Sequence, residues 1–232
     1  MQALRMTWRS LASFYEELLL QIGVSILWWI TGGVFAGAAV WLAWLTLRTG
    51  DLWLVPLVAI PAGPATAALA NVTFQTSRDL RAGVDLFWAG FRSHRRRALA
   101  VNALSMVMLA LILLNQGFYY AQGNTILHVF SFFWVYLAFF WITAQFYLFP
   151  VLVGMEHPSV KEALKMTAVL AFANPFYSIA FLVLAALLTG ISIAVAPLLL
   201  LAWPAVMSLM GQHSLKMFVE QAAARRPVPP VK

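Results

Sequence analysis

Four histidines, His94, His128, His157 and His213, are the first residues to test for chemistry. No two of them stand at metal-ligand spacing. His94, His157 and His213 fall near one end of the apolar segments and His128 near the other. No His-Glu-x-x-His, Gly-x-Ser-x-Gly or phosphate-loop pattern occurs. Asp79 and Asp85 are close in sequence, but they fall on a stretch patterned as a surface helix, where solvated charge is the ordinary role. Cysteine is absent, which removes disulfides, thiolate metal sites and a cysteine nucleophile together. The expectation is a protein that is not an enzyme, with no catalytic residues, no metal and no cofactor.

Gly63-Pro64-Ala65-Thr66 is the most unusual segment. It lies in the uncharged run 52–76, which also holds Pro56 and Pro61. Proline removes a helix hydrogen bond and kinks the chain. One reading is a kink tolerated by neighbouring helices. The other is a broken helix whose second half starts at Pro64, exposing an N-terminus that could bind an anionic group. Gly63, Pro64, Ala65 and Thr66 are therefore the candidate ligand-binding residues.

Arg92, Arg95, Arg96 and Arg97, with Phe87 and Trp88 upstream, form the second cluster. Topology setting and anionic lipid headgroup contact explain such a cluster, each basic residue contributing about 1 kcal/mol at the membrane surface. A partner protein is the other candidate contact.

The elements that carry these residues follow from composition. Of 232 residues, 62% are hydrophobic and 10% charged, against about a quarter charged in soluble domains. Lipid is the solvent that such a surface suits. A transmembrane helix needs about 20 apolar residues. The uncharged runs provide six spans near 18–47, 52–76, 98–120, 126–153, 175–193 and 197–217. The first run is too long for the core of a signal peptide, so the N-terminus is expected to be retained.

With the N-terminus inside, fourteen of the fifteen basic residues are cytoplasmic and only Arg48 lies outside. The net charge of +7 thus marks membrane orientation and not nucleic-acid binding. The expected architecture is an all-α polytopic membrane helical bundle with both termini in the cytoplasm. Two interfacial amphipathic helices are expected near 79–92 and 160–173. Ser159 and Glu162 frame a capping box for the second, and Asn174-Pro175 ends it and starts the next span. Residues 1–221 form one domain, and 222–232 read as a flexible tail.

Polar residues in or near the spans are few: Gln21, Asn102, Asn115, Gln116, Thr143 and Gln145. Their default role is bonding between helices. No ionisable residue lies deep in a span, which argues against a proton relay or ion-coupled carrier. Gly33 and Gly37 form a small-xxx-small motif suited to close helix approach.

Pro61-Ala62-Gly63-Pro64-Ala65-Thr66-Ala67-Ala68-Leu69, the basic loop with Phe87-Trp88 and Phe91, and the fresh span after Arg97 resemble the YesL-like bacterial membrane proteins. Tyr147-Leu148-Phe149-Pro150, Val160–Lys165 and Asn174-Pro175 agree. The pattern departs at Val153-Gly154-Met155-Glu156, where a basic residue is more usual. The resemblance implies a multi-pass protein of the bacterial cytoplasmic membrane and a link to carbohydrate uptake. It assigns no catalytic residues. Two functions are expected from it and from the residues. The first is an accessory protein of a carbohydrate-uptake transporter complex. The alternative is a small channel or carrier for a neutral or anionic solute, using the broken second span.

Overall fold

The computed structural model describes residues 2–224 except 79, 81, 123, 158 and 174. Asp79, Arg81, Asn174 and the tail from Arg225 onward lie outside the described residues, as do the roles expected of them. Among the described residues the fold is all helical, with no strand. The helices are α1 Gln2–Glu16, α2 Leu18–Thr46, α3 Leu52–Thr76, α4 Val84–Ala121, α5 Thr125–Gly154, α6 Val160–Ala173, α7 Pro175–Ala194, α8 Ala196–Leu201 and α9 Trp203–Ala224. Five of them, α2, α3, α4, α5 and α7, are long and apolar enough to cross a membrane.

Three elements differ from the sequence expectation. The 79–92 helix is not separate: α4 runs unbroken from Val84 to Ala121. Ser93–Ala100 contains no helix breaker, and Arg, Ala and Leu all propagate helix well. At 38 residues α4 is about 57 Å long, nearly twice the hydrocarbon thickness of about 30 Å. The expected sixth span is divided at Ala202 into α8 and α9. Pro204 has no N–H to continue the ladder, and Gln212, His213, Lys216 and Glu220 make α9 polar for a span. Finally, α1 was not foreseen. Its Met6 and Ser10 are buried, while Leu4, Trp8, Leu11 and Tyr15 form an exposed apolar stripe. Their i, i+4, i+7, i+11 spacing was readable; the run is short, and its charges mask it in a search for spans.

The second-loop helix forms where expected, as α6, and the Ser159 carbonyl accepts its first bond from the Ala163 N–H at 2.9 Å. At the turn between α4 and α5 Asn124 caps α5, its side chain accepting from the Ile126 N–H at 2.8 Å.

Side-chain contacts give the helix directions. Along α3 and α4, Gly63 meets Ala98 and Asn102, while Asn71 meets Gly90, so the pair is antiparallel. Along α7 and α9, Tyr177 Oη pairs with Ser214 Oγ at 2.9 Å and the Trp203 indole N–H donates to Thr189 Oγ1 at 2.9 Å, again antiparallel. In contrast, α3 and α9 run parallel. Thr73 and Ser208 share a 2.7 Å hydroxyl bond and, further along both helices, Lys216 Nζ donates to Ser77 O at 3.2 Å, while the long Gln212 side chain reaches back to Ala70 O at 2.9 Å.

The core sits around the second half of α3, where Ala65, Ala67, Ala68, Leu69, Ala70 and Val72 are all buried. Small side chains let three neighbours approach the α3 backbone, the usual route to tight packing in lipid. Glycines do the same on the partners: a Cβ at Gly32 would stand 2.6 Å from Ala65 Cβ, and one at Gly90 2.7 Å from Asn71 Cβ. Glu17, at the junction of α1 and α2, accepts from Thr76 Oγ1 at 2.6 Å, and Gln21 donates to the same Thr76 at 3.0 Å. These bonds tie α2 to the end of α3.

Gly211 of α9 packs against the Phe146 carbonyl and Pro150 of α5, whereas Gly117 of α4 faces open space. Gly211→Ala should destabilise the detergent-solubilised protein by about 1–3 kcal/mol through overpacking. Gly117→Ala should leave its thermal midpoint unchanged or slightly raised. Equal midpoints for both variants would refute this account of the α5–α9 contact.

Candidate functional site

Three proline-bearing helical segments meet at one place. In α3, 3-10 turns at Leu52–Leu54 and Ile60–Ala62 flank a single helical turn at Val55–Val58, and regular helix starts at Gly63. Pro64 has no N–H to offer the Ile60 carbonyl, so that oxygen, beside its 3-10 bond from Gly63, has room for a donor from a neighbouring helix. Asn102 of α4 supplies it: its Nδ2 donates to Ile60 O at 2.9 Å and to Ala59 O at 3.0 Å. The first turn also closes on itself, with the Gly63 N–H on Ile60 O and the Ala62 N–H on Ala59 O.

The second break, between α8 and α9, is treated likewise. The Trp29 indole N–H donates to Leu199 O in the last turn of α8 at 3.2 Å. Trp29 opens a π-helical turn over Trp29–Gly33. That turn lets consecutive tryptophans point into the bundle, a common use of π-bulges near functional sites. Trp28 donates to Thr66 Oγ1 at 3.1 Å, and its ring lies 6.2 Å from that of Trp203. The third proline, Pro150 of α5, leaves the Phe146 carbonyl without its helical donor, and Gly211 packs onto that oxygen.

These breaks surround a cavity of about 290 Å³. Thr66, Asn102, Gln145 and Ser208 supply its polar wall; Trp28, Met106, Phe149 and Met207 supply much of the rest. No ionisable side chain lines it. Thr66, Gln145 and Ser208 are already bonded, to Ala62 O, Ser105 and Thr73 respectively. Asn102 Oδ1, in contrast, accepts no hydrogen bond among the described residues. The cavity therefore suits a small uncharged molecule with an N–H or O–H donor.

The structure distributes the sequence-predicted residues unevenly. Thr66 lines this cavity; Gly63, Pro64 and Ala65 are buried in helix contacts and do not. A Cβ at Gly63 would stand 2.7 Å from Asn102 Cβ and 2.8 Å from Ala98 O, so α4 covers the start of the half-helix. Phe87, grouped in the sequence with Trp88 as an outward contact, is instead wholly buried against Leu69 and Val72. Trp88, Arg92, Arg95, Arg96 and Arg97 stay exposed on α4. They border an open hollow of about 620 Å³ whose walls all belong to α4, so nothing closes its far side.

Of the polar span residues, Gln21, Asn102 and Gln145 do bond between helices. Asn115 and Thr143 bond within their own helices, to Leu111 O and Phe139 O. Sequence reasoning missed Trp28, Trp29 and Ser208. Tryptophan is common at membrane depth, and nothing local distinguishes one that bridges helices.

No protein-family model matches this chain, and no curated protein or solved structure matches it significantly.

Replacing Asn102 with Leu leaves the Ile60 and Ala59 carbonyls without their side-chain donor. A loss of about 1–2 kcal/mol is expected, the range for polar contacts between membrane helices. Asn102→Gln should recover less than half of it, because the longer side chain cannot reach both carbonyls. An unchanged thermal midpoint in Asn102→Leu would show that these bonds do not hold the break.

Proposed function

We propose that this is a six-span, N-in/C-in protein of the bacterial cytoplasmic membrane that acts without catalysis, as an accessory of a carbohydrate-uptake transporter. The observation that carries the reading is the length of α4. Its first fourteen residues extend beyond what a bilayer needs and present Trp88, Arg92 and Arg95–Arg97 on a helix rigidly joined to the bundle. An aromatic beside several arginines is the composition enriched at binding hot spots. The same arginines attract anionic lipid headgroups, which would hold the extension at the inner surface. The carbohydrate link rests on the YesL-like pattern at Pro61–Leu69.

The six-span reading draws support from helix direction. The descending path of α9 beside α3 and against α7 is that of a sixth crossing started by α8. The basic residues favour the cytoplasm for both ends. In this arrangement α1 and α6 lie along the inner interface, with Leu4, Trp8 and Tyr15 of α1 dipping into lipid. A second reading, a carrier or channel for a small neutral solute, is favoured by the cavity beside Thr66 and Asn102. Discontinuous spans meeting at a central site are the design of many transporters.

Three measurements test these readings. The chain has no cysteine, so single cysteines report topology directly. Thr49→Cys and Val195→Cys should react with an impermeant maleimide in intact cells; Glu156→Cys and Glu220→Cys should react only after permeabilisation. Any reversal sinks the N-in/C-in assignment. For the accessory role, capture from native membranes in mild detergent should recover transporter components with the wild type. Trp88→Ala combined with Arg92→Gln and Arg95→Gln should lose them. Recovery of the wild-type protein alone would end that reading, whereas solute flux in proteoliposomes, blocked by Ser208→Trp, would establish the second.

A further inference from the structure

A larger groove opens at the cytoplasmic ends of the helices, away from the central cavity. It lies between the ends of α3 and α5, the length of α6 and the second half of α9, and measures about 1,090 Å³. Its floor is apolar, with Phe74, Val151, Leu170 and Leu215 prominent. Its rim is charged with both signs: Arg78, Lys165 and Lys216 against Glu156, Glu162 and Glu220.

Two of the cations are fixed by the end of α3 and not by the carboxylates. The Arg78 guanidinium sits 3.9 Å over the Phe74 ring, which leaves its N–H edge free for an acceptor. Lys216 gives one ammonium proton to Ser77 O at 3.2 Å and keeps two. Both lie where the last carbonyls of α3 favour positive charge. Lys165 of α6 lines the same groove.

We infer that this groove binds a phospholipid whose headgroup carries a primary ammonium beside its phosphate. Ordinary small-molecule pockets reach about 1,000 Å³ and enclose most of a drug-sized ligand; this groove is as large and opens at the membrane surface. An apolar floor beneath a charged rim matches a hydrocarbon chain joined to a polar head, and it disfavours a fully polar metabolite. The rim's three cations and three carboxylates then select the head. A purely anionic head would leave Glu156, Glu162 and Glu220 facing like charge. A phosphate between Arg78, Lys165 and Lys216 with an ammonium toward the carboxylates satisfies both signs. A quaternary ammonium lacks the N–H donors that carboxylates accept best, so phosphocholine fits less well.

The inference does not depend on the transporter-accessory reading and would survive its failure. It is tested on the full-length, delipidated protein by native mass spectrometry. The added probes are dioleoyl phosphatidylethanolamine, phosphatidylglycerol, phosphatidylcholine and, separately, inorganic phosphate. One equivalent of the ethanolamine lipid should bind about tenfold more tightly than either other lipid. Arg78→Gln with Lys165→Gln should weaken it by about tenfold or more, and Lys165→Gln alone should weaken it while leaving the lipid-free thermal midpoint unchanged. Leu170→Trp, which fills the floor without touching the rim charges, should also weaken it. Equal binding of the three lipids would indicate annular lipid and overturn the inference. So would tighter binding of phosphatidylglycerol, displacement by millimolar inorganic phosphate, or variants that bind like the wild type.

Discussion

A backbone carbonyl that loses its helical donor inside a bilayer must find another within the protein, because no solvent is there to supply one. This constraint organises the bundle. Proline and helix ends release carbonyls at Ile60, Phe146 and Leu199. Asn102 answers the first and Trp29 answers the third through side-chain N–H groups. Phe146 O lies where a Cβ on Gly211 would stand, so glycine alone lets α9 come this close to that oxygen. Each answer comes from a different helix, so each break fastens two spans together. The positions of α2, α4 and α9 around α3 and α5 are thereby set by where those spans are interrupted.

Packing and polarity work together in this arrangement. Hydrophobic burial does little to join helices in lipid, where the tails are as apolar as leucine. Close backbone approach must supply the attraction, and the alanine-rich second half of α3 provides it. Gly32, Gly63 and Gly90 remove the Cβ where α2, α3 and α4 cross. The same closeness brings Gln21 and Glu17 within reach of Thr76, and Ser208 within reach of Thr73. Polar side chains here act as fasteners between surfaces that small residues have already brought together.

The sequence made the apolar segments legible because span length and charge placement are coarse properties read over about 20 residues. It also marked the second span as irregular, since three prolines leave few other outcomes. Other features depended on partners that a linear reading cannot see. Phe87 and Trp88 are neighbours of like character, yet one is buried beneath α3 and the other is exposed. The facing surface that decides between them, Leu69 and Val72, lies fifteen or more residues away. The start of α4 was misplaced for a local reason: an amphipathic pattern followed by an arginine run looks like a surface helix and a loop, but nothing in it stops a helix. Ala202 was missed because Trp203-Pro204 sits inside an apolar run whose hydropathy hides the break.

The interruptions also explain why the cavity beside Asn102 and the groove beside Arg78 differ in chemistry. Where a helix is broken at depth, the donors nearby are consumed in repairing it. Asn102 spends both Nδ2 protons on Ala59 and Ile60, and Trp28 spends its indole N–H on Thr66. What remains in the cavity wall is acceptor capacity without charge, which admits donors and repels ions that would have to shed their hydration. At the ends of α3 and α5 that border the groove the helices terminate in turns, and no such repair is required. Arg78 and Lys216 can there keep protons for an external acceptor, at the end of α3, whose dipole favours them. Selectivity in both places thus follows from how the backbone was satisfied first, with the side chains left over defining what each site can hold.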